Sequence, residues 1–322
     1  MLVKNIRFSP LFPLICTIFA RIETNTSAMK RENIFKGLGV AVATPFTTDG
    51  AVDYPALHSI IDYQIGHGAD FLCVLGTTAE TPCLDAAEKE EITRQVTAWV
   101  HGRVPILLGC GGNNTASVVR FLQTADLTGV DGVLIVCPFY NKPSQEGLYQ
   151  HFCHVAAASP LPVVLYNVPG RTGVNLDAAT TLRIAHDCPN VVAIKEASGK
   201  IGQIEDILKD APDGFDVLSG DDAITLELIS AGAAGVISVI GNAYPAEFGE
   251  MVHSALAGDF NTALRWHRRF NELYKLMSVD GNPAGVKALL AVLERAGNRL
   301  RLPLVPVRQE TMERIRRFVS DF

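Results

Sequence analysis

Charge and aromatic rings are both scarce in this chain, at 19% and 7% of its 322 residues. The 28 Lys and Arg against 34 Asp and Glu leave a net charge of −6, which argues against nucleic acid or an anionic membrane as the main partner. Cysteine occurs seven times, as Cys16, Cys73, Cys83, Cys110, Cys137, Cys153 and Cys188, and never in a C-x-x-C pattern, which removes the usual redox and zinc motifs. The odd count, and the position of Cys73, Cys110 and Cys137 inside apolar runs, predict free thiols packed as small core residues in a reducing, cytoplasmic compartment. No stretch combines membrane-spanning length with an absence of charge. Lys4 and Arg7 do precede an apolar run over 8–20, but two prolines interrupt it and it is too short to span a bilayer. Residues 1–28 therefore read as an extension, untranslated or disordered, ahead of a start at Met29. A cleaved targeting segment is the alternative.

Apolar residues, by contrast, make up 48% of the chain, enough to bury a sizeable core and exclude intrinsic disorder. They fall into eight short runs: GLGVAVATP (37–45), FLCVLG (71–76), VPILLGCG (104–111), GVLIVCP (132–138), PVVLYNVP (162–169), VVAIKEAS (191–198), DVLSGDD (216–222) and GVISVIGN (235–242). Nearly continuous hydrophobicity is the mark of parallel strands covered on both faces. Amphipathic segments separate them. Asp85 and Glu88 form a capping-box pattern at the start of one, and Asn114 opens the next. Eight βα units with right-handed crossovers predict a (β/α)8 barrel over 29–257. A doubly wound sheet is the runner-up, but the segment after the first run, ATPFTTDG, is not its glycine-rich turn. Three helical segments follow, Phe260–Met277, Asn282–Ala296 and Gln309–Val319, giving a C-terminal helical region over 258–322.

The C-terminal ends of barrel strands converge on one mouth, where function concentrates. The residues at those ends are Thr44, Thr77-Thr78, Cys110-Gly111, Tyr140, Tyr166, Lys195, Gly220-Asp221-Asp222 and Ser238. Lys195 is the unusual one, because it stands in an otherwise apolar strand and its amine would lie inside the barrel. Burial favours the neutral form of an amine, and a neutral amine attacks a ketone to give a Schiff base, whose iminium is an electron sink. The alternatives are a lysine that reaches out to solvent or pairs with Glu196 or Asp221. Tyr166 ends the preceding strand, and Thr78 and Tyr140 are candidates for a hydroxyl that shares its proton.

Six segments resemble the dihydrodipicolinate synthase family of pyruvate-dependent class I aldolases: GTTAETPCL (76–84), CPFYNKPSQEGLYQHF (137–152), LYNVPGRTG (165–173), IKEASG (194–199), LSGDD (218–222) and GVISV (235–239). The resemblance covers roughly 34–320. It implies a lyase that condenses pyruvate with L-aspartate 4-semialdehyde in lysine and diaminopimelate synthesis. Lys195 would form the Schiff base, with no metal and no separate cofactor. Thr78, Tyr166 and Tyr140 would relay protons, Tyr140 reaching into a neighbouring subunit of a homotetramer built from tight dimers. Thr77, beside Thr78, would hold the pyruvate carboxylate, and Gly220 and Ile237 would line the pocket through backbone groups. Arg171 offers a planar fork to the carboxylate of the semialdehyde. N-acetylneuraminate lyases and sugar-acid aldolases of the same fold lack that arginine. They and a non-catalytic keto-acid-binding barrel are the alternative readings.

The remaining motifs read plainly. GCGGNNT (109–115) lacks the lysine and spacing of a phosphate loop and is expected to be a tight turn. His151 and His154 have no third ligand in register and are expected on a solvated face. Arg265–Arg269 and Arg314–Arg317 are basic patches expected to be exposed faces or subunit contacts. Two departures from the family pattern matter more. Ala79 replaces the glycine of GTTGE, which is costly only if the backbone there has a positive φ. Glu80 is kept and reads as a loop-ordering acid. The site at which L-lysine inhibits feedback-sensitive relatives retains Asn113 but otherwise reads Ala86, Lys89, Ser117 and Phe139, a cation in place of an imidazole and no carboxylate for the effector's amines. L-lysine is therefore expected to inhibit weakly or not at all, and a titration with half-inhibition well below millimolar would overturn this.

Overall fold

The computed structural model describes residues 33–322, so the expectations for residues 1–28 and for a start at Met29 lie outside the described residues. All eight apolar runs form strands: β1 (Gly37–Ala41), β2 (Phe71–Val74), β3 (Ile106–Gly109), β4 (Gly132–Val136), β5 (Val163–Asn167), β6 (Val191–Glu196), β7 (Asp216–Ser219) and β8 (Gly235–Ser238). They pair in parallel, in sequence order, and β8 closes on β1. The barrel expected from the pattern of apolar runs is thus the observed fold.

A helix of six residues or more follows each strand, preceded after β5 by a single helical turn at Pro169–Thr172: α1 (Tyr54–Gly66), α2 (Ala86–Val100), α3 (Thr115–Thr124), α4 (Gln145–Ala158), α5 (Ala178–Asp187), α6 (Ile201–Asp210), α7 (Thr225–Ser230) and α8 (Pro245–Leu256). Their starts are set locally. Asp85 accepts from the Glu88 N–H while Glu88 reaches back to the Asp85 N–H, and Asn114 accepts from the Ser117 N–H. Inside the barrel, Phe71, Cys73, Leu107, Leu134, Val164, Tyr166, Ala193, Leu218 and Ile237 pack together, while the alternate strand residues face the helices. Where β8 begins, a Cβ on Gly235 would meet the Gly37 carbonyl oxygen at 2.1 Å, so β8 approaches β1 closely there because position 235 is glycine.

Beyond α8 come α9 (Phe260–Arg269), α10 (Asn271–Ser278), α11 (Ala284–Val292) and α12 (Gln309–Asp321). The segment expected as one helix over Phe260–Met277 is two, joined at Phe270 with ψ −5°. Phe270 is fully buried, its ring among those of Tyr244, Phe248, Trp266 and Phe322, and the break directs it there. His151 also departs from expectation. It is buried rather than solvated, with Nδ1 at 2.9 Å from Thr115 Oγ1, whereas His154 is exposed. Leu148, Phe152 and Val155 pack on the barrel, and His151 shares their side of α4. Arg268, Arg269, Arg314 and Arg317 line one groove, with Glu272 and Asp321 among them and Glu272 paired to Arg314. The described cysteines are free, and burial pushes the Cys110 and Cys137 thiols up to about 12.

The helical region is tied to the barrel by a buried ion pair. Lys287, on α11, donates to Glu80, which lies between β2 and α2, and also to the Arg299 carbonyl at 2.8 Å. The other Glu80 oxygen accepts from the Arg301 N–H at 3.0 Å. Burial pushes the Lys287 amine down to about 8, against the pull of Glu80. Removing one member of such a pair leaves a buried charge uncompensated, so Lys287→Met should cost about 3–5 kcal/mol in urea unfolding. The double variant Glu80→Gln/Lys287→Met should recover part of that loss. A single variant within about 1 kcal/mol of the parent would show that the pair does not tie the two parts together.

Candidate functional site

The mouth is organised by β5, β6 and β7. Tyr166 and Lys195 are direct partners across β5 and β6, and Lys195 is in turn paired with Leu218 on β7. All three share the inward face. The Lys195 side chain is therefore inside the barrel, only 6% exposed, with Nζ 4.5 Å from the centroid of the Tyr166 ring. Among the described residues it enters no ion pair. Glu196, one position on, faces outward, where it accepts from Asn167, the Ser198 N–H and Gln203. Burial holds its carboxyl above the usual range, against those hydrogen bonds. Asp221 caps its own turn by accepting from the Ala223 N–H. Neither acid neutralises the lysine.

Room for the lysine comes from Gly220. A Cβ there would stand 2.7 Å from Ala197 Cβ and 3.2 Å from Lys195 Cε. The Gly220 N–H donates to the Glu196 carbonyl at 2.8 Å, which fixes this close approach. Asp222, just beyond, accepts from the Val239 and Ile240 N–H groups and so joins the end of β7 to the end of β8, where Ile237 is buried. Burial raises the Asp222 carboxyl to about 6.

Thr77 and Thr78 sit in a one-turn 3-10 helix after β2, with Thr78 buried and Thr77 half-buried. Ala79 has an ordinary negative φ, and the left-handed position is Glu80, at φ 56°. The alanine is therefore accommodated as expected. Glu80 is a loop-ordering acid here: its ion pair with Lys287 and its bond to the Arg301 N–H fix the turn that carries both threonines.

Arg171 lies in the turn after β5, exposed, with its own N–H on the Val168 carbonyl and Nη2 donating to the Asn282 carbonyl at 3.3 Å. Tyr140 is the outlier. Its side chain is 89% exposed, and among the described residues no hydrogen bond joins it or the Tyr166 hydroxyl to Thr78. The fold thus brings Lys195, Tyr166, Gly220 and Ile237 to one barrel mouth, where Asn282 links Thr78 to Arg171, and it leaves Tyr140 on the surface. Asn282 was not anticipated. It stands in GNPAG (281–285), a turn-like segment at the start of the helix expected over Asn282–Ala296. Among the described residues, no cluster of three His, Cys, Asp or Glu is placed to hold a metal, and no helix is long and apolar enough to cross a membrane.

The model of the dihydrodipicolinate synthetase family matches residues 34–321. The chain is 59% identical over 286 residues to 4-hydroxy-tetrahydrodipicolinate synthase of Phocaeicola vulgatus, covering 89% of this chain and 96% of that one. It is 57% identical over 281 residues to the same-named protein of Parabacteroides distasonis, covering 87% and 95%. The crystal structure of dihydrodipicolinate synthase from Aquifex aeolicus superimposes with a TM-score of 0.86 at 38% identity, covering 89% and 98%.

The Gly220 contact generates a test. Gly220→Ala should cost about 1–3 kcal/mol of stability through overpacking. It should also displace the Lys195 amine, slowing reductive trapping of that lysine by a small keto acid and borohydride at least about tenfold, the effect of roughly 1.4 kcal/mol on a barrier. Trapping at the parent rate would show that the close approach does not set the position of the amine.

Proposed function

The chain belongs to the dihydrodipicolinate synthetase family, and on that premise we propose that it condenses pyruvate with L-aspartate 4-semialdehyde to 4-hydroxy-tetrahydrodipicolinate. The observation that carries the proposal is Lys195, an amine buried at the barrel mouth against Tyr166 and in no ion pair among the described residues. An amine so placed is available to attack the keto carbon of pyruvate, with loss of water, to form an iminium. Loss of a proton from the adjacent methyl gives an enamine, whose carbon attacks the aldehyde of the second substrate. The amino group of that substrate then closes the ring at the imine carbon and releases Lys195. The imine is the electron sink, so the chemistry requires no metal or separate cofactor.

Tyr166, at the amine, is assigned to move protons, with Thr78 and Tyr140 as its relay partners. Thr77 and Thr78 take the pyruvate carboxylate, and Gly220 and Ile237 shape the pocket. Arg171, in no ion pair among the described residues, takes the carboxylate of the semialdehyde. The exposure of Tyr140 supports its role in a neighbouring subunit, and hence a homotetramer of tight dimers that exchange this residue. We assign catalysis to the barrel, 29–257, and support of its mouth to the helical region, 258–322. A cytoplasmic setting fits the free thiols and a biosynthetic role.

Borohydride reduction in the presence of pyruvate should add one pyruvate-derived group to Lys195, read by peptide mass. An unmodified Lys195 would sink every aldolase reading at once. Arg171→Ala should abolish turnover of the semialdehyde while sparing pyruvate imine formation. If the variant keeps that turnover, the arginine does not select the second substrate, and sialic or sugar acids become the substrates to test.

A further inference from the structure

Asn282 spans the two substrate positions. Its Nδ2 donates to Thr78 Oγ1 at 3.0 Å, and its backbone carbonyl accepts from Arg171 Nη2 at 3.3 Å. A threonine hydroxyl has one proton and two acceptor sites. With one acceptor site taken by Nδ2, the proton is turned away from Asn282, and among the described residues the Thr78 hydroxyl donates to nothing. The remaining amide atom, Oδ1, is buried without a partner.

We propose that Asn282 is a positioning residue that presets Thr78 as a hydrogen-bond donor to the pyruvate carboxylate and, through its backbone, steadies Arg171 for the second carboxylate. This rests on the assignment of Lys195 and Arg171 given above. A hydroxyl preset as donor suits an anion, which only accepts. It suits a relay less well, because a relay member must also take up a proton. Asn282 therefore weights Thr78 toward substrate binding, and its part in the proton relay assigned above is the lesser of its two roles.

The test separates side chain from backbone. Asn282→Ala removes Nδ2 and keeps the carbonyl, and should raise the pyruvate KM about tenfold, the effect of losing one hydrogen bond of ordinary strength. The semialdehyde KM and kcat should stay within about threefold in that variant, since the carbonyl that holds Arg171 remains. Asn282→Asp is nearly isosteric but reverses the polarity: its carboxylate accepts the Thr78 proton and faces the incoming anion. It should raise the pyruvate KM further, to about a hundredfold, because charge-assisted contacts are roughly twice as strong as neutral ones. Placed on Thr78→Val, Asn282→Ala should cost nothing more, and this cycle decides the matter even if the aspartate variant fails to fold.

Equal pyruvate KM values in parent, Ala and Asp variants would overturn the proposal. So would equal effects of Ala and Asp, a fall in kcat with KM unchanged, or additive losses in the cycle. Trapping of the parent enzyme by pyruvate and borohydride is run first. Its failure would sink the reading of Lys195, whereas unchanged variants of a trappable enzyme would sink only the role of Asn282.

Discussion

The register of β6 from Ala193 to Glu196, set after a shift in its pairing with β5 that skips Val192, is the constraint on which the mouth depends. Lys195 shares the inward face with Ala193, Tyr166 and Leu218, and Glu196 shares the outward one with Ile194. A slip of one residue would bring the acid inside and put the amine among Gln203 and the loop residues of the helix layer. The register also sets Tyr166 directly beside Lys195, which yields the 4.5 Å approach of amine to ring. Gly220 completes this geometry by leaving space where any side chain would press on the lysine stem. Amine, ring and gap are thus consequences of one pairing pattern.

A barrel supplies strand ends, but the loops beyond them need separate support. The Thr77–Thr78 turn gets it from Glu80, whose two oxygens are held by Lys287 and by the Arg301 N–H. Burying two charges costs desolvation that their attraction only partly offsets, so an apolar pair would serve stability as well. What the ion pair adds is direction. A carboxylate with two specified donors locks one orientation of a short turn carrying a left-handed residue, which apolar packing would leave loose. The helical region is therefore a wall of the site, with Asn282 as its point of contact.

How far this was legible from the chain alone depends on the range of the interaction. The eight strands and the caps at Asp85 and Asn114 are local patterns, and Lys195 is conspicuous as the one amine at the end of the apolar run VVAI. The break at Phe270 escaped because it answers to rings scattered from Tyr244 to Phe322. His151 escaped because its side of α4 is decided by the barrel beneath it. Asn282 and Lys287 meet partners 204 and 207 residues away, and no local period encodes such a meeting. The same distance explains why Glu80 could be read as an ordering acid without its partner being named.

The net charge of −6 says nothing about the anionic substrates proposed here, and the geometry explains why. In the proposed reading, recognition is divided between two electrostatic settings. Lys195 is buried at the mouth, with its amine against the Tyr166 ring. Arg171 is exposed, where solvent and salt screen a bare charge within about 8–10 Å, and its value lies in directed hydrogen bonds rather than a long-range field. A mobile exposed fork would lose much of that value to side-chain entropy. The Asn282 carbonyl limits this loss by holding one nitrogen of the fork. On the proposed reading, one held arginine can select a carboxylate on a protein whose overall charge repels it.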